Sequence, residues 1–213
     1  MTRSRIAARR ELAKDEGSAR YVARRKALIE AAATVFAAQG YSAAGLDEIA
    51  RLADIDRASL YYYVGSKKEL FYEVVGEYID KNTQMAEEIL AKDASAREKL
   101  EELIVSLVIS YEKHYPSLFV FIQEDLAKMA ESRSGAGKRL QMTMLRFNEI
   151  TVEIIEQGMR SGEFRSDTPA NVAAFAVIGM TNWTHRWFTP KGELSGEQIG
   201  RAFAKIACDG LTP

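Results

Sequence analysis

Cysteine is almost missing from this chain of 213 residues: the single Cys208 excludes an internal disulfide framework, and no metal-spacing motif accompanies it, so it reads as a small buried hydrophobe. Proline is scarce as well, with four in all, and strand-like alternation is rare, which removes the usual punctuation of a β-rich fold. Only two histidines, His114 and His185, are available, and neither an HExxH pair nor a nucleophile elbow occurs. Catalysis therefore has little to work with, and neighbouring acids such as Glu112 and Glu124 read as solvated helix faces. No apolar run is long enough to cross a bilayer and no signal-peptide core is present, so the cytoplasm is the expected location.

The formal net charge of −1 conceals an asymmetry. Residues 1–68 hold 13 Lys and Arg against 8 Asp and Glu, whereas residues 69–213 hold 16 against 22. A basic end on an acidic body orients a molecule towards nucleic acid and keeps the remainder away from it. Much of the excess lies before Leu28, in Arg3, Arg5, Arg9, Arg10, Lys14, Arg20, Arg24, Arg25 and Lys26. Residues 1–17 read either as a solvated tail or as a basic arm that lays arginines along phosphates or into a minor groove.

Long amphipathic runs between caps and breakers predict an all-α chain of nine helices. The first runs from about Ser18 to Gln39, burying Leu28, Ala31, Ala32, Val35 and Phe36, and stops at Gly40. Two short helices follow, one over Leu46 to Ala53 and one capped by Asp56. Ser66 caps a connector helix from Lys67 to about Leu90, and a fifth spans roughly Ser95 to Tyr115. Pro116 opens a sixth through about Glu131, and Ser132 to Gly137 reads as a mobile loop. The seventh covers about Lys138 to Ser161, the eighth runs from Pro169 to about Trp187, and a Ser195/Gln198 capping box starts the last. The eighth is apolar nearly all round from Val172 to Met180, and the ninth carries Ile199, Ala202, Phe203, Ile206 and Ala207 in one stripe. Such surfaces must be covered: either both helices serve the core of a single copy, or a two-fold pairing with a second copy covers them, which is the more economical solution.

The segment LDEIARLADIDRASLYYYVGSKKEL, Leu46 to Leu70, places two short helices either side of an acidic turn and then three tyrosines and a lysine. This is the pattern of a helix-turn-helix, in which a protruding helix enters a DNA groove while neighbouring groups hold phosphates. Arg57 can fork onto guanine, Ala58 lets the helix approach thymine methyls, and Ser59 can bond a base edge or a phosphate. Lys67 offers an ammonium beside a helix N-terminus.

Gly40-Tyr41, Asp47-Glu48-Ile49-Ala50, Arg57-Ala58-Ser59-Leu60-Tyr61-Tyr62 and Ser66-Lys67-Lys68-Glu69-Leu70 together resemble the DNA-binding domain of the TetR family of bacterial regulators. The resemblance covers roughly Arg24 to Val75. It implies a helix-turn-helix DNA-binding domain over 18–68, a helical ligand-binding and dimerisation domain over 69–213, a homodimer on a palindromic double-stranded operator, and release by a small-molecule effector. It also implies phosphate contacts from Tyr61 and Tyr62, and no cofactor, metal or catalytic residue. Three positions depart from the family pattern: Asp54 stands in place of the turn glycine, Asp56 in place of a serine cap, and Gly45 in place of a threonine that holds a phosphate, leaving only its N–H for that contact. An effector-independent structural DNA-binding protein of the same fold is the alternative.

For the effector site, Phe121 and Gln123 on helix six, Phe147 and Asn148 on helix seven, and Trp183, Arg186 and Trp187 at the end of helix eight combine aromatic surface with a few polar groups. The stretch Trp183 to Leu194 is similar to TetR regulators of fatty-acid and sterol catabolism that respond to CoA thioesters. By that resemblance Arg186 pairs with a phosphate and a tryptophan stacks on adenine or shields an acyl chain. Arg186 reads equally as an ordinary dimer-interface or surface ion pair.

Overall fold

The computed structural model describes residues 19–123 and 135–213. The basic arm and the expected second half of helix six, with Glu124 and Glu131, lie outside the described residues. Among those described, the chain is helical with no strand: α1 (Ala19–Ala43), α2 (Leu46–Leu52), α3 (Arg57–Tyr63), α4 (Lys67–Leu90), α5 (Ala96–Lys113), α6 (Ser117–Gln123), α7 (Gly135–Ser161), α8 (Ala170–Asn182) and α9 (Gly196–Leu211), with a 3₁₀ turn over Trp183–Arg186.

The local signals account for most boundaries. At Gly40 the backbone of α1 leaves the helical region (φ 76°), a conformation that costs glycine little, and a short turn over Tyr41 to Ala43 follows. Asp56 accepts from the Ser59 amide and Ser66 from the Glu69 amide, each satisfying one of the free N–H groups at a helix start. Ser95 with Glu98, and Ser195 with Gln198, form reciprocal capping boxes on α5 and α9. Two expectations change. Helix seven starts at Gly135, inside the stretch read as a loop. Helix eight gives up α geometry at Asn182 and tightens into the 3₁₀ turn, where Thr184 donates to the Thr181 carbonyl at 2.6 Å.

Two apolar cores share α4. The first joins Leu28, Val35 and Phe36 of α1, Ile49 of α2 and Leu60 of α3 to Leu70, Phe71, Val74 and Val75 of α4. Burial of such side chains contributes roughly 1.5–3 kcal/mol each, which is what holds three short helices together. Val120 of α6 and Leu140 of α7 belong to this same core, so α6 packs directly on α1. The second core joins Ala86 and Ile89 at the far end of α4 to Leu100, Leu103 and Ile104 of α5, Ile150 and Ile154 of α7, Val177 of α8 and Cys208 of α9. The boundary expected after Lys68 thus falls in the first turn of a helix that serves both cores.

Helix α9 lies close along α5. A Cβ on Gly200 would sit 2.8 Å from the Val105 Cα, so the absence of a side chain sets the separation of these helices. Burial pushes the Cys208 thiol up to about 11, in keeping with a packing role.

Candidate functional site

The reading head is α2, α3 and the start of α4. Between α2 and α3, Asp54 takes a left-handed conformation (φ 53°), which Asp tolerates better than most residues. Arg24 of α1 holds this turn by donating to the Asp54 carbonyl at 3.0 Å, with the Asp54 carboxylate 3.8 Å away. The substitution of acid for glycine is thereby supported by a cation from the first helix.

Only Leu60 of α3 is fully buried, so the helix presents most of its surface outward. Arg57 is exposed and its Nη1 lies 2.9 Å from the Asp47 Oδ2 of α2. Ser59 donates its hydroxyl to Asp56 at 2.5 Å, and Asp56 also accepts the Ser59 amide at 2.8 Å. Those bonds from the Ser59 hydroxyl and then its amide hold the Asp56 carboxyl below the usual carboxylate range, so it stays charged as a cap. Ala58 is exposed beside them. Tyr61 is exposed, whereas Tyr62 and Tyr63 are half-buried, with ring centroids 5.8 and 5.2 Å from that of Tyr21 on α1. Tyr62, read from sequence as a clamp on DNA, is therefore also a packing residue.

Gly45 caps α2 with no side-chain hydrogen bond, leaving its neighbourhood open. Lys67 sits at the first position of α4, where its Nζ donates to the Ser42 carbonyl at 3.0 Å and lies 4.8 Å from the centre of the Tyr41 ring. Gly45, Arg57, Ala58, Ser59, Tyr61, Tyr62 and Lys67 thus share one unit of α2, α3 and the α4 start, though Arg57 and Lys67 have protein partners here.

In the larger part, a cavity of about 220 Å³ opens between α4, α5, α6, α7 and α8. Of the residues expected at the effector site, Phe121, Phe147 and Asn148 line it. Gln123 does not, because it is exposed at the end of the described α6. Trp183, Arg186 and Trp187 also lie outside the lining, since the 3₁₀ turn carries them onto the exposed surface beyond Asn182, the last lining residue of α8. Arg186 stands 5.5 Å from the Trp183 ring centre in a cation–π contact.

The lining missed from sequence comes from α4, α5, the start of α6 and the second half of α8: Ile79, Asn82 and Thr83; Leu107 and Tyr111; Leu118; Phe175, Ile178 and Thr181. Among the described residues no lining side chain is charged. Tyr111 is buried, and its hydroxyl has no partner among the described residues. Burial pushes that phenol up to about 12, so it stays protonated. Helix α6 stands between the two parts, with Leu118 and Ile122 on the cavity, Val120 in the core shared with α1, and Phe121 touching both.

A protruding short helix on a three-helix core, joined by one continuous helix to a cavity-bearing helical domain, defines a DNA-binding regulator with a built-in sensor domain. Comparison with known proteins agrees. Residues 28–74 match the model for bacterial regulatory proteins of the tetR family, and residues 93–211 that for the tetracyclin repressor-like C-terminal domain. The chain belongs to the TetR family of transcriptional repressors. It is 28% identical over 189 residues to the transcriptional repressor KstR2 of Rhodococcus jostii, covering 88% of this chain and 91% of that protein. The structure of the ketosteroid transcriptional regulator KstR2 of Mycobacterium tuberculosis is similar with a TM-score of 0.82 at 26% identity, over 89% of this chain and 95% of that one. AibR, solved in complex with isovaleryl coenzyme A and operator DNA, shares the fold with a TM-score of 0.73 at 22% identity, over 86% of this chain and 97% of that one. The KstR2 relatives are named as a transcriptional repressor and a transcriptional regulator. No described helix is long and apolar enough to cross a membrane, and no group of metal-ligating side chains occurs among the described residues.

Proposed function

We propose that the protein is a homodimeric repressor that leaves a palindromic operator when an effector with an uncharged, largely apolar body enters the cavity, and that a coenzyme A thioester is the effector form. The observation that carries this reading is the position of the cavity against α4 and α6. Ile79, Asn82 and Thr83 line it from the helix whose other end holds Lys67, and Leu118 and Phe121 line it from the helix that packs on α1. A body that moves these two helices moves the reading head. A tenfold loss of operator affinity takes about 1.4 kcal/mol of differential binding between the two states.

Volume and charge support a divided ligand. A cavity of about 220 Å³ lies below the roughly 300–1,000 Å³ of sites that enclose drug-sized ligands, which suits an acyl group rather than a whole coenzyme A thioester. The charged part of a thioester then lies outside, where the 3₁₀ turn that carries Trp183 and Arg186 begins one residue past Asn182. The KstR2 relatives are named as repressors and as a ketosteroid regulator, and AibR holds an acyl coenzyme A, which fits an acyl-bearing effector here.

The dimer rests on exposed apolar surface. Val172, Phe175 and Trp183 of the α8 segment are 52%, 57% and 61% exposed, and Ile206 of α9 is 64% exposed. With Ala176, Gly179 and Ala202 they form a stripe that a second copy would cover. Phe175 also lines the cavity, so the partner would complete its wall.

One variant tests the effector assignment. Arg186→Met keeps aliphatic bulk and removes the charge, so the dimer and operator binding should persist while acyl-CoA thioesters such as isovaleryl-CoA no longer release DNA in a fluorescence-anisotropy titration. Retained release in an intact dimer removes Arg186 from the site. Dissociation of the dimer by sedimentation assigns it to the interface instead.

A further inference from the structure

A chain of three side chains fixes the direction of one amide in the cavity. His114 caps the C-terminus of α5 with its Nδ1 3.0 Å from the Ser110 backbone carbonyl. A carbonyl only accepts, so Nδ1 carries the hydrogen. The same nitrogen lies 3.1 Å from the Ser110 Oγ, which therefore accepts from it. The hydroxyl proton of Ser110 then goes to the Asn82 Oδ1, 2.6 Å away. With its oxygen engaged, Asn82 has only its NH₂ group to offer, and no acceptor for that group lies within hydrogen-bond distance among the described residues. Asn82 lines the cavity.

We infer that Asn82 is a fixed hydrogen-bond donor to the effector, and that the group the cavity selects is an uncharged apolar body carrying an acceptor oxygen, such as a ketone or an ester carbonyl. The inference rests on the cavity's being the effector site. The rest of the wall supports it. Phe121, Phe147 and Ile79 supply apolar surface, Asn148 faces the space from α7 with a carboxamide that has no partner among the described residues, and no cation lines it among those residues to pair a carboxylate. An ion buried there would lose its hydration and regain only hydrogen bonds from neutral groups, with no opposite charge, whereas a carbonyl loses little and gains the amide. A hydrocarbon of the same shape would leave the Asn82 NH₂ unmade, so the oxygen is read as a difference in affinity. The serine relay makes this discrimination sharper than a free asparagine could, because an unrestrained carboxamide turns over and accepts as readily as it donates.

Three probes of matched shape test this on the full-length protein: 2-tetralone, tetralin and tetralin-2-carboxylate, with dissociation constants read by ligand-observed NMR and thermal shift. The ketone should bind about three- to tenfold more tightly than the hydrocarbon, the value of one net hydrogen bond, and the carboxylate should not bind. Asn82→Leu should remove the preference for the ketone while tetralin still binds, which also shows that the cavity is intact. Ser110→Ala, which frees the amide to turn, should lower the preference with Asn82 in place. Equal binding of ketone and hydrocarbon to the unaltered protein overturns the donor role and leaves the cavity as an effector site. Binding of the carboxylate as tightly as the ketone overturns the selection for uncharged groups. If none of the three binds, the cavity is not an effector site and the inference falls with it.

Discussion

The guanidinium of Arg57 on the recognition helix rests 2.9 Å from the carboxylate of Asp47 on the preceding helix, both side chains being more than half exposed. Such a pair adds little to stability, roughly 0–1 kcal/mol, but it holds the guanidinium of a candidate base reader beside an acid. If Arg57 reads a guanine, that contact should replace or share this partner, whereas a phosphate backbone without a guanine should meet the acid. The pair should therefore disfavour non-specific binding more than specific binding.

Two substitutions separate these roles. Arg57→Ala should cost about 1–3 kcal/mol on the cognate site and blur one base position per half-site when random DNA is selected. Asp47→Asn should raise affinity for unrelated DNA several-fold and narrow the gap between specific and non-specific binding. An unchanged motif with Arg57→Ala removes that residue from base readout.

Lys67 and the basic N-terminal segment should act without regard to sequence. Lys67→Ala should weaken all duplexes alike and reduce the salt slope by about one phosphate contact. Deletion of residues 1–17 should leave the dimer intact, weaken DNA binding and flatten its salt dependence. An anisotropy titration between low and moderate salt measures both, and an unaltered slope removes the segment from the interface.

Gly200→Ala should destabilise the C-terminal domain by about 1–3 kcal/mol, because the added Cβ meets the Val105 backbone, which cannot turn aside as a side chain could. The gain in helix propensity, up to about 1 kcal/mol, offsets only part of this. A drop in melting temperature is the readout; a rise would mean that α9 shifts freely along α5.

Acid should loosen the link between the α7–α8 connection and α5. Glu163 accepts from the Arg97 and Ala96 amides at 3.1 and 3.3 Å and from the Ser161 hydroxyl at 2.8 Å. The Arg97 amide and then the Ser161 hydroxyl hold its carboxyl below the ordinary value of 4.5. A depressed carboxyl contributes its stability above the unfolded value and loses it as pH falls through the folded one. Glu163→Gln should therefore lower the melting temperature at pH 7, and the gap to the unaltered protein should close below about pH 4.5. A gap that persists at pH 3 would show that the charge is irrelevant.

The helix-turn-helix was legible in the sequence because its determinants are local. Asp56, Ser66 and the Ser195/Gln198 pair cap helices through bonds to amides three residues away, and the stripe Leu28, Ala32, Val35 and Phe36 follows from helical periodicity within one segment. The cavity was legible only where apolar runs ended in polar groups, at Phe121, Phe147 and Asn148. Asn82 and Thr83 were not, because a polar pair inside a long amphipathic helix has the same local pattern whether it meets water or a cavity. Trp183, Arg186 and Trp187 were placed at the cavity by continuing helix eight, and the 3₁₀ turn at Trp183 redirects them.

The sequence by itself determined an all-helical chain, its caps and breakers, its basic end and its DNA-reading segment, since propensity, capping and periodicity act over a few residues. Tertiary structure alone decided which faces of α4, α5, α7 and α8 converge on an uncharged cavity, that α6 joins it to α1, and that Asp47 meets Arg57. Those outcomes depend on packing between segments ten or more residues apart, where the geometry of two cores sharing one helix selects among side chains that are locally equivalent.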